Sequence, residues 1–520
     1  MTPRRPLEGL AALALFTLAV FLVFESGSRG FFPLDQSNVF EGGYRMLRGQ
    51  VPYRDFVMPV GPLAFLIQVP FFALLGVNNY AHLLHSAVVN AAAALLAVSC
   101  VKRLFPEALV PAYLAGLVTA AWFYPIFGTP AFDQTALFFH LCALVLLLRA
   151  LDPRATLAPA VLSGAASGLA FFSKQNAGAL SVACLSLLIV AAAGSRRGAL
   201  LLRFAAGLAA CGALFMLWLL VFSEPAAFVR HFLALPLAEG ARRVGSAQFQ
   251  AGMLHDLKSS LATLALVLLG PFLSLAGLAC HALVRALPPR ALLGFRVSLS
   301  LALVQWGFIR VTSNLPDNAF GMAGLASVLA LLAALECVPP FPRRGLLASA
   351  LVALVALPLA GAGRALARSR VVHDYWFPIH YRNAPVSRAL APARWSAPAD
   401  DPRAIRVEDV DALVDYLRAR ATPFFAFPDF VALYGLAGAM PPQPLVWFHQ
   451  GLTYPTQYDP ALDRRVVEAL ERHGVRLVVI ERVSFMGTER RLKHFPLLLA
   501  YVEGFREVAR FGIFEVRERP

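Results

Sequence analysis

The chain has 520 residues, 58% hydrophobic and 15% charged, with a mean hydropathy of +0.64. A soluble protein carries about 25% charged residues, so this composition excludes an ordinary soluble enzyme and indicates a polytopic membrane protein. The net charge of +15 does not indicate nucleic acid, because most arginines of the first part sit in doublets between apolar runs, where they report topology.

The acids divide the chain. Only 13 of the 31 Asp and Glu residues precede Gly363, and the other 18 lie in the last 158 residues. This predicts an α-helical polytopic membrane part over 1–362 and a water-facing α/β domain over 363–520. The six cysteines fall within or at the ends of apolar runs, which predicts neither a disulfide nor a metal cluster.

Runs long enough to span a bilayer occur near 8–24, 80–100, 108–125, 133–150, 157–172, 176–193, 200–222, 260–284, 292–310, 320–337 and 345–362. The first follows Arg4 and Arg5 and is read as an uncleaved span. The stretch 62–76 is apolar but short and broken by Pro70, which predicts a helix in or dipping into the interface.

With the N-terminus inside, the inner connections carry Lys102/Arg103, Arg149/Arg154, Arg196/Arg197/Arg203, Arg285/Arg290/Arg296 and Arg343/Arg344. Each is basic, as the positive-inside rule requires. An odd number of spans then places the tail outside. The same assignment puts Asp35, Glu41, Asp55, Asp133, Lys174, Glu224, Glu239, Asp256 and Asp317 at or near the outer face, where ionisable groups concentrate.

The first outer loop, 25–79, holds the densest polar stretch between apolar runs. Within it, EGGYRMLRGQ reads as a short amphipathic helix, with Tyr44 and Leu47 on one face and Arg45 and Arg48 turned away. The prolines of VPYRDFVMPVGPL then turn the chain back. Asp35 lies just past the first span, at the depth where a lipid-linked phosphate meets water. It suits a general base, with a helix N-cap before QSN as the alternative reading. Asp133, at the outer start of the fourth span, carries the same two readings.

Lys174, in FFSKQNAG, is a basic residue held in a short outer connection against the charge bias. It suits a lipid phosphate, with snorkelling as the alternative. Loop 223–258 contains Arg230, His231, Arg242, Arg243, His255 and Lys258. It is long enough to be an amphipathic cover over a lipid entrance, or a basic loop facing headgroups. Arg310 ends the ninth span at the outer face and is a further candidate phosphate contact, while Asp317 suits a turn or cap. In the tail, PFFAF and RLVVIE read as buried strands, 459–474 as an amphipathic helix ended by Gly474, and the last residues as a hairpin. The two histidines of HDYWFPIHY (373–381) have non-helical spacing and do not predict a metal site.

The stretches LDQSNVFEGGYRMLRGQVPYRDF with GPLAFL, FDQTALFFHLCALVLLLRA, GAASGLAFFSKQNAG and FPDFVALYGLAGAMPPQP together resemble the GT-C class of glycosyltransferases. The likeness is to the bacterial branch related to protein mannosyltransferases and to the aminoarabinose and galacturonic-acid transferases that modify lipid A. It implies an outward active site, a polyprenyl-phosphate-linked sugar donor, Asp35 as base, Asp133 as a second acid and Lys174 at the donor phosphate. Arg310, Glu41, Tyr44, Tyr53, Arg54 and Asp55 complete the candidate substrate-binding set. The acceptor expected is an envelope glycolipid, polysaccharide or protein, reached from the outer face of the cytoplasmic membrane. No cofactor is required by the sequence, and a divalent cation is admitted. Two departures bear on donor and acceptor: Gln36 follows the first acid where many relatives have a second acid, and 311–319 lacks a histidine. A transporter or flippase of lipid-linked sugars, or a non-catalytic scaffold of envelope assembly, are the rival readings. A transporter is expected to place its charges near the midplane of repeated halves.

Overall fold

A computed structural model describes residues 4–31, 33–124, 128–247, 261–284, 287–312, 320–338, 383–397, 401, 403–484 and 487–520. Helices form where the sequence has long apolar runs. The first three are α1 (Arg4–Gly27), α2 (Pro33–Leu47) and α3 (Leu63–Leu75). The bundle continues with α4 (Asn79–Leu104), α5 (Leu109–Trp122), α6 (Phe132–Leu151), α7 (Ala158–Ser173), α8 (Gln175–Ala192) and α9 (Arg197–Phe222). A cover segment follows as α10 (Pro225–Phe228), one π-helical stretch (Val229–Ala234) and α11 (Leu235–Gly245). Three more bundle helices are α12 (Leu261–Val284), α13 (Pro289–Thr312) and α14 (Phe320–Glu336).

Each predicted span except the last coincides with one of these helices, and 345–362 lies outside the described residues. Among the described residues, five helices are long and apolar enough to cross a membrane; α5, with 14 residues, is shorter than the run predicted there, and α7 matches its predicted length at 16 residues. The protein is a membrane protein.

The first outer loop departs from the sequence reading in two ways. Its helix starts at Pro33 rather than at Glu41, so Asp35 lies in its first turn instead of preceding it. Arg45, expected to turn away from the apolar face, is fully buried. Its Nε donates to Glu41 Oε1 at 2.8 Å and its Nη1 to the Gln443 carbonyl at 3.0 Å, so its charge is compensated inside the fold. The expectation for 62–76 matches α3, which carries Pro70 within it.

The C-terminal part contains α15 (Val407–Arg420), β1 (Phe424–Phe427), α16 (Leu433–Ala437), α17 (Pro460–Arg472) and β2 (Leu477–Glu481). It ends with α18 (Thr488–Lys493), α19 (Pro496–Glu503), β3 (Arg506–Phe511) and β4 (Phe514–Glu518). The sheet order is β1-β2-β4-β3, with β1 and β2 parallel and the other pairs antiparallel. Every residue of β1 and β2 is buried, which is why FFAF and LVVI read as continuous apolar runs rather than alternating ones, with Glu481 buried at the end of β2. Asp459 caps α17 by accepting from the Ala461 and Leu462 amides, both at 3.1 Å.

Two cores result. One joins the bundle helices. The other joins the first outer loop to the C-terminal part, with Phe31, Phe40, Tyr44 and Phe56 packed in the same cluster as Trp395, Phe430 and Tyr434. The Val57 amide donates to the Pro444 carbonyl at 2.8 Å, and Asn79 Nδ2 donates to the Leu390 carbonyl at 2.8 Å. The first outer loop is therefore built against the tail lobe, and the lobe in turn fixes that loop over the bundle.

Candidate active site

Three segments meet at the helix ends next to the first outer loop. α2 lies on α3 because Gly42 has no side chain: a Cβ there would stand 2.5 Å from the Phe65 ring. The other side of Phe65 meets Phe132, at 5.4 Å between ring centroids, and so reaches the start of α6. Beside it, the connection between α7 and α8 is reduced to Lys174, which is extended (φ −152°, ψ 115°). Asp133, in the first turn of α6, pairs with the Lys174 ammonium. Neither side chain is fully enclosed, with 16% of Asp133 and 14% of Lys174 exposed. The structure thus joins two candidates that stand 41 residues apart in the chain. Ala131 occupies the cap position of α6, so Asp133 is not its N-cap.

The remaining candidates of the first loop are placed differently. Glu41 and Arg45 form an ion pair with both side chains 0% exposed. Burial pushes the Glu41 carboxyl up to about 7, against the pull of Arg45. Tyr44 is buried beneath the Arg48 guanidinium, which stands 6.0 Å from its ring centroid. Tyr53, also buried, donates its hydroxyl hydrogen to the Val60 carbonyl at 2.6 Å and closes the proline turn. Burial raises its pKa well above the ordinary tyrosine value. Glu41, Tyr44 and Tyr53 hold the loop together.

Arg54 and Asp55 instead face the rim, paired at 2.8 Å with Arg54 half exposed. Burial pushes Asp55 up, but Arg54 and the Val51 amide, which donates to it at 2.7 Å, outweigh burial and lower its pKa. Asp35 is the third residue of α2, where the helix dipole favours a carboxylate. Arg310 lies two residues before the end of α13. The side chains of Asp35 and Arg310 lie outside the described residues, as do Asp256, His255, Lys258, Asp317 and the HDYWFPIHY stretch.

Two positioning features were not singled out from the sequence. Gln175, directly after Lys174, donates from Nε2 to the carbonyls of Pro59 and Phe232, both at 3.0 Å. Gly61 stands so close to the same connection that a Cβ would meet the Phe172 carbonyl oxygen at 1.6 Å. The only signal for either was the polar SKQN run between two apolar helices. Of the cover-loop residues, Arg230 pairs with Asp459 of the tail lobe, and Glu239 accepts from Arg242 and Arg243. His231 is buried, and burial together with Arg230 pushes its imidazole down to about 4. Among the described residues, no three His, Cys, Asp or Glu side chains are grouped to share a metal ion.

The sequence profile of the dolichyl-phosphate-mannose-protein mannosyltransferase family matches residues 59–223, a stretch that contains Asp133, Lys174 and Gln175. Among solved structures, ArnT from Cupriavidus metallidurans bound to undecaprenyl phosphate is similar at a TM-score of 0.59 and 16% identity, over 97% of both chains. The chain has the GT-C glycosyltransferase fold. Two further structures share this GT-C architecture. The Archaeoglobus fulgidus oligosaccharyltransferase tethered with an acceptor peptide is similar at a TM-score of 0.50 and 12% identity, over 98% of this chain and 74% of that one. The mycobacterial arabinofuranosyltransferase AftD is similar at 0.55 and 14%, over 100% of this chain and 42% of that one. No curated protein sequence matches the chain.

Proposed function

We propose that this protein transfers a sugar from a polyprenyl-phosphate donor to an envelope acceptor at the outer face of the cytoplasmic membrane. The observation that carries the reading is the Asp133–Lys174 pair at the mouth of α6 and α7, set in the GT-C fold and linked through Phe65 of α3 to the helix that bears Asp35. The similarity to an ArnT structure holding undecaprenyl phosphate supports a lipid-phosphate donor. In this reading residues 1–362 form the catalytic membrane domain and 363–520 an exoplasmic lobe that shapes the acceptor side.

Asp35 takes the proton of the acceptor hydroxyl as its oxygen bonds to the anomeric carbon. The bond from that carbon to the phosphate oxygen breaks, and polyprenyl phosphate leaves with the electron pair. Lys174, with Arg310, steadies the departing charge, and Asp133 acts as a second acid that orients Lys174. Arg54 and Asp55 at the rim meet the acceptor, while Glu41, Tyr44 and Tyr53 act through the loop they hold. A divalent cation at the phosphate would share the work of Lys174, and a fall in turnover on chelation would reveal it.

The testing experiment is mass spectrometry of envelope glycolipids, polysaccharides and glycoproteins from cells with and without the protein. Loss of one sugar-bearing species, with its unmodified acceptor accumulating, is the expected result. An unchanged profile together with an altered sidedness of lipid-linked sugars would instead mark a flippase.

A further inference from the structure

Lys174 is bracketed. On its N-terminal side the Ser173 carbonyl accepts from the Gly61 amide at 3.2 Å. On its C-terminal side the Gln175 amide group reaches Pro59, two residues before Gly61 in the same loop. The second hydrogen of that amide goes to Phe232, in the π-helical stretch of the cover segment. One side chain therefore ties together the lysine connection, the first outer loop and the cover.

The orientation of this amide follows from its surroundings. Both partners are carbonyl oxygens, so only the nitrogen end can face them. Among the described residues its buried Oε1 has no hydrogen-bond partner, and the two donated bonds are the directed contacts of the side chain. Aromatic packing follows the same path. Phe171 meets Phe232 at 5.6 Å, Phe232 stacks on Phe228 at 4.8 Å, and Phe228 meets Tyr53 at 5.2 Å. Rings are tolerant of small slides; a pair of directed bonds to two carbonyls is not. A π-helical turn inside a cover also marks a place where helices commonly depart from regular form at functional sites.

We propose that Gln175 is a positioning residue that latches the cover segment and the first outer loop onto the Lys174 connection, fixing the lysine ammonium for a lipid-linked phosphate. The phosphate half of this inference rests on the function proposed above; the latch itself does not. Removing both donors releases the cover and lets the extended Lys174 backbone relax. The loss falls on recognition of the phosphate rather than on the lipid chain.

The test uses the full-length protein in nanodiscs, with undecaprenyl phosphate and undecaprenol as probes. Gln175→Met keeps the length of the side chain and removes both donors. Gln175→Glu keeps the shape but faces the two carbonyls with oxygen, and serves if the Met variant fails to fold. Hydrogen exchange over 225–245 is expected to quicken in either variant without ligand. Affinity for undecaprenyl phosphate is expected to fall roughly tenfold, the scale of two ordinary hydrogen bonds, with undecaprenol unaffected. Added to Lys174→Ala, the Gln175 change should cost nothing further in phosphate affinity, because it acts through that lysine.

Unchanged exchange over the cover would overturn the latch. Quickened exchange with full discrimination between phosphate and alcohol, in a protein where Lys174→Ala loses it, would overturn the positioning role. If Lys174→Ala itself keeps that discrimination, the phosphate role of Lys174 falls, while exchange still decides the latch.

Discussion

Two of the ion pairs near the outer loop, Glu41–Arg45 and Asp133–Lys174, differ in how far they are enclosed. Glu41–Arg45 is sealed, with no exposed side-chain surface, whereas Asp133–Lys174 keeps about a sixth of each side chain open. The sealed pair lies within one helix, in a core shared with the tail lobe, and has a third partner in the Gln443 carbonyl. The open pair bridges two helices at the mouth of the bundle. An enclosed pair can only be kept or broken, while an open one can exchange partners; under the proposed function a donor phosphate would replace Asp133 at Lys174. Charge in a polar loop is therefore not the mark of a site; charge that can be exchanged is.

The largest expected effect breaks the sealed pair. Removing one partner of a buried pair costs about 3–5 kcal/mol. The two partners are not equivalent, because the Glu41 carboxyl is already pushed up to about 7 and can take a proton, whereas a guanidinium cannot shed one. Glu41→Leu is expected to lower thermal stability more than Arg45→Met, as read from melting of the detergent-solubilised protein. Equal, small losses would show that the pair is open after all.

A smaller effect sharpens the other side of the comparison. Lys174→Ala removes a charged contact worth about 1.5–3 kcal/mol and should weaken polyprenyl-phosphate binding accordingly, with stability little changed. Lys174→Arg should recover part of it, since the charge survives but the compact ammonium does not. Asp133→Asn removes the carboxylate that competes with a phosphate for the lysine, so binding should hold or tighten while turnover falls. Binding that falls in Asp133→Asn as it does in Lys174→Ala would make the pair structural, like Glu41–Arg45.

The tail lobe supplies a second buried cluster, and burial there shifts the titration of a carboxyl. Glu481 accepts from the Asp429 amide at 2.8 Å, and Arg491 pairs with the Asp429 carboxylate. Burial, and then the neighbouring Asp429, raise the Glu481 carboxyl from 4.5 to about 8. Folding thus takes up a proton at Glu481 between those values, so stability falls as pH rises through that window and levels off above it. Glu481→Gln should reduce that slope in melting curves taken from pH 5 to 8, leaving the share of Glu41, whose carboxyl is raised to about 7. A slope equal to wild type would place the titrating group elsewhere.

The smallest effect concerns Asp459, which caps α17 and pairs with exposed Arg230. Asp459→Asn keeps the cap and loses only a surface pair, for at most about 1 kcal/mol. Asp459→Ala loses the cap as well, for about 1 kcal/mol more. A larger loss in Asp459→Asn would mean that the cover depends on this pair more than on Gln175.

Local periodicity explains which parts of this architecture were legible. Bundle helices are long apolar runs, and β1 and β2 are short ones bounded by proline or charge, so each announced itself. The last residues formed the hairpin β3–β4 because Gly512 supplies its turn at φ +56°. The burial of Arg45 was not legible, because it depends on a carbonyl 398 residues away. The start of α2 was missed for a related reason: PLDQSN is weakly amphipathic, and its partner surface comes from α3 and the tail lobe. Asp133 and Lys174 each stood out as ionisable residues at the edge of a span, but their pairing needed the packing of α6 on α7. Gln175 carried no signal by type; its role comes from two carbonyls supplied by distant segments.

The central claim is sugar transfer with Asp35 as base, and one substitution tests it most directly. Asn matches the shape of Asp but accepts no proton, and it keeps whatever local hydrogen bonding the first turn of α2 needs. Reconstituted with a polyprenyl-phosphate sugar and its acceptor, Asp35→Asn should fold and bind the donor lipid as wild type does. Its rate of polyprenyl-phosphate release should be lower by ~10²–10⁴, the scale of a lost general base. Release at near wild-type rate from the folded Asn variant would contradict the account and move the base to another carboxylate.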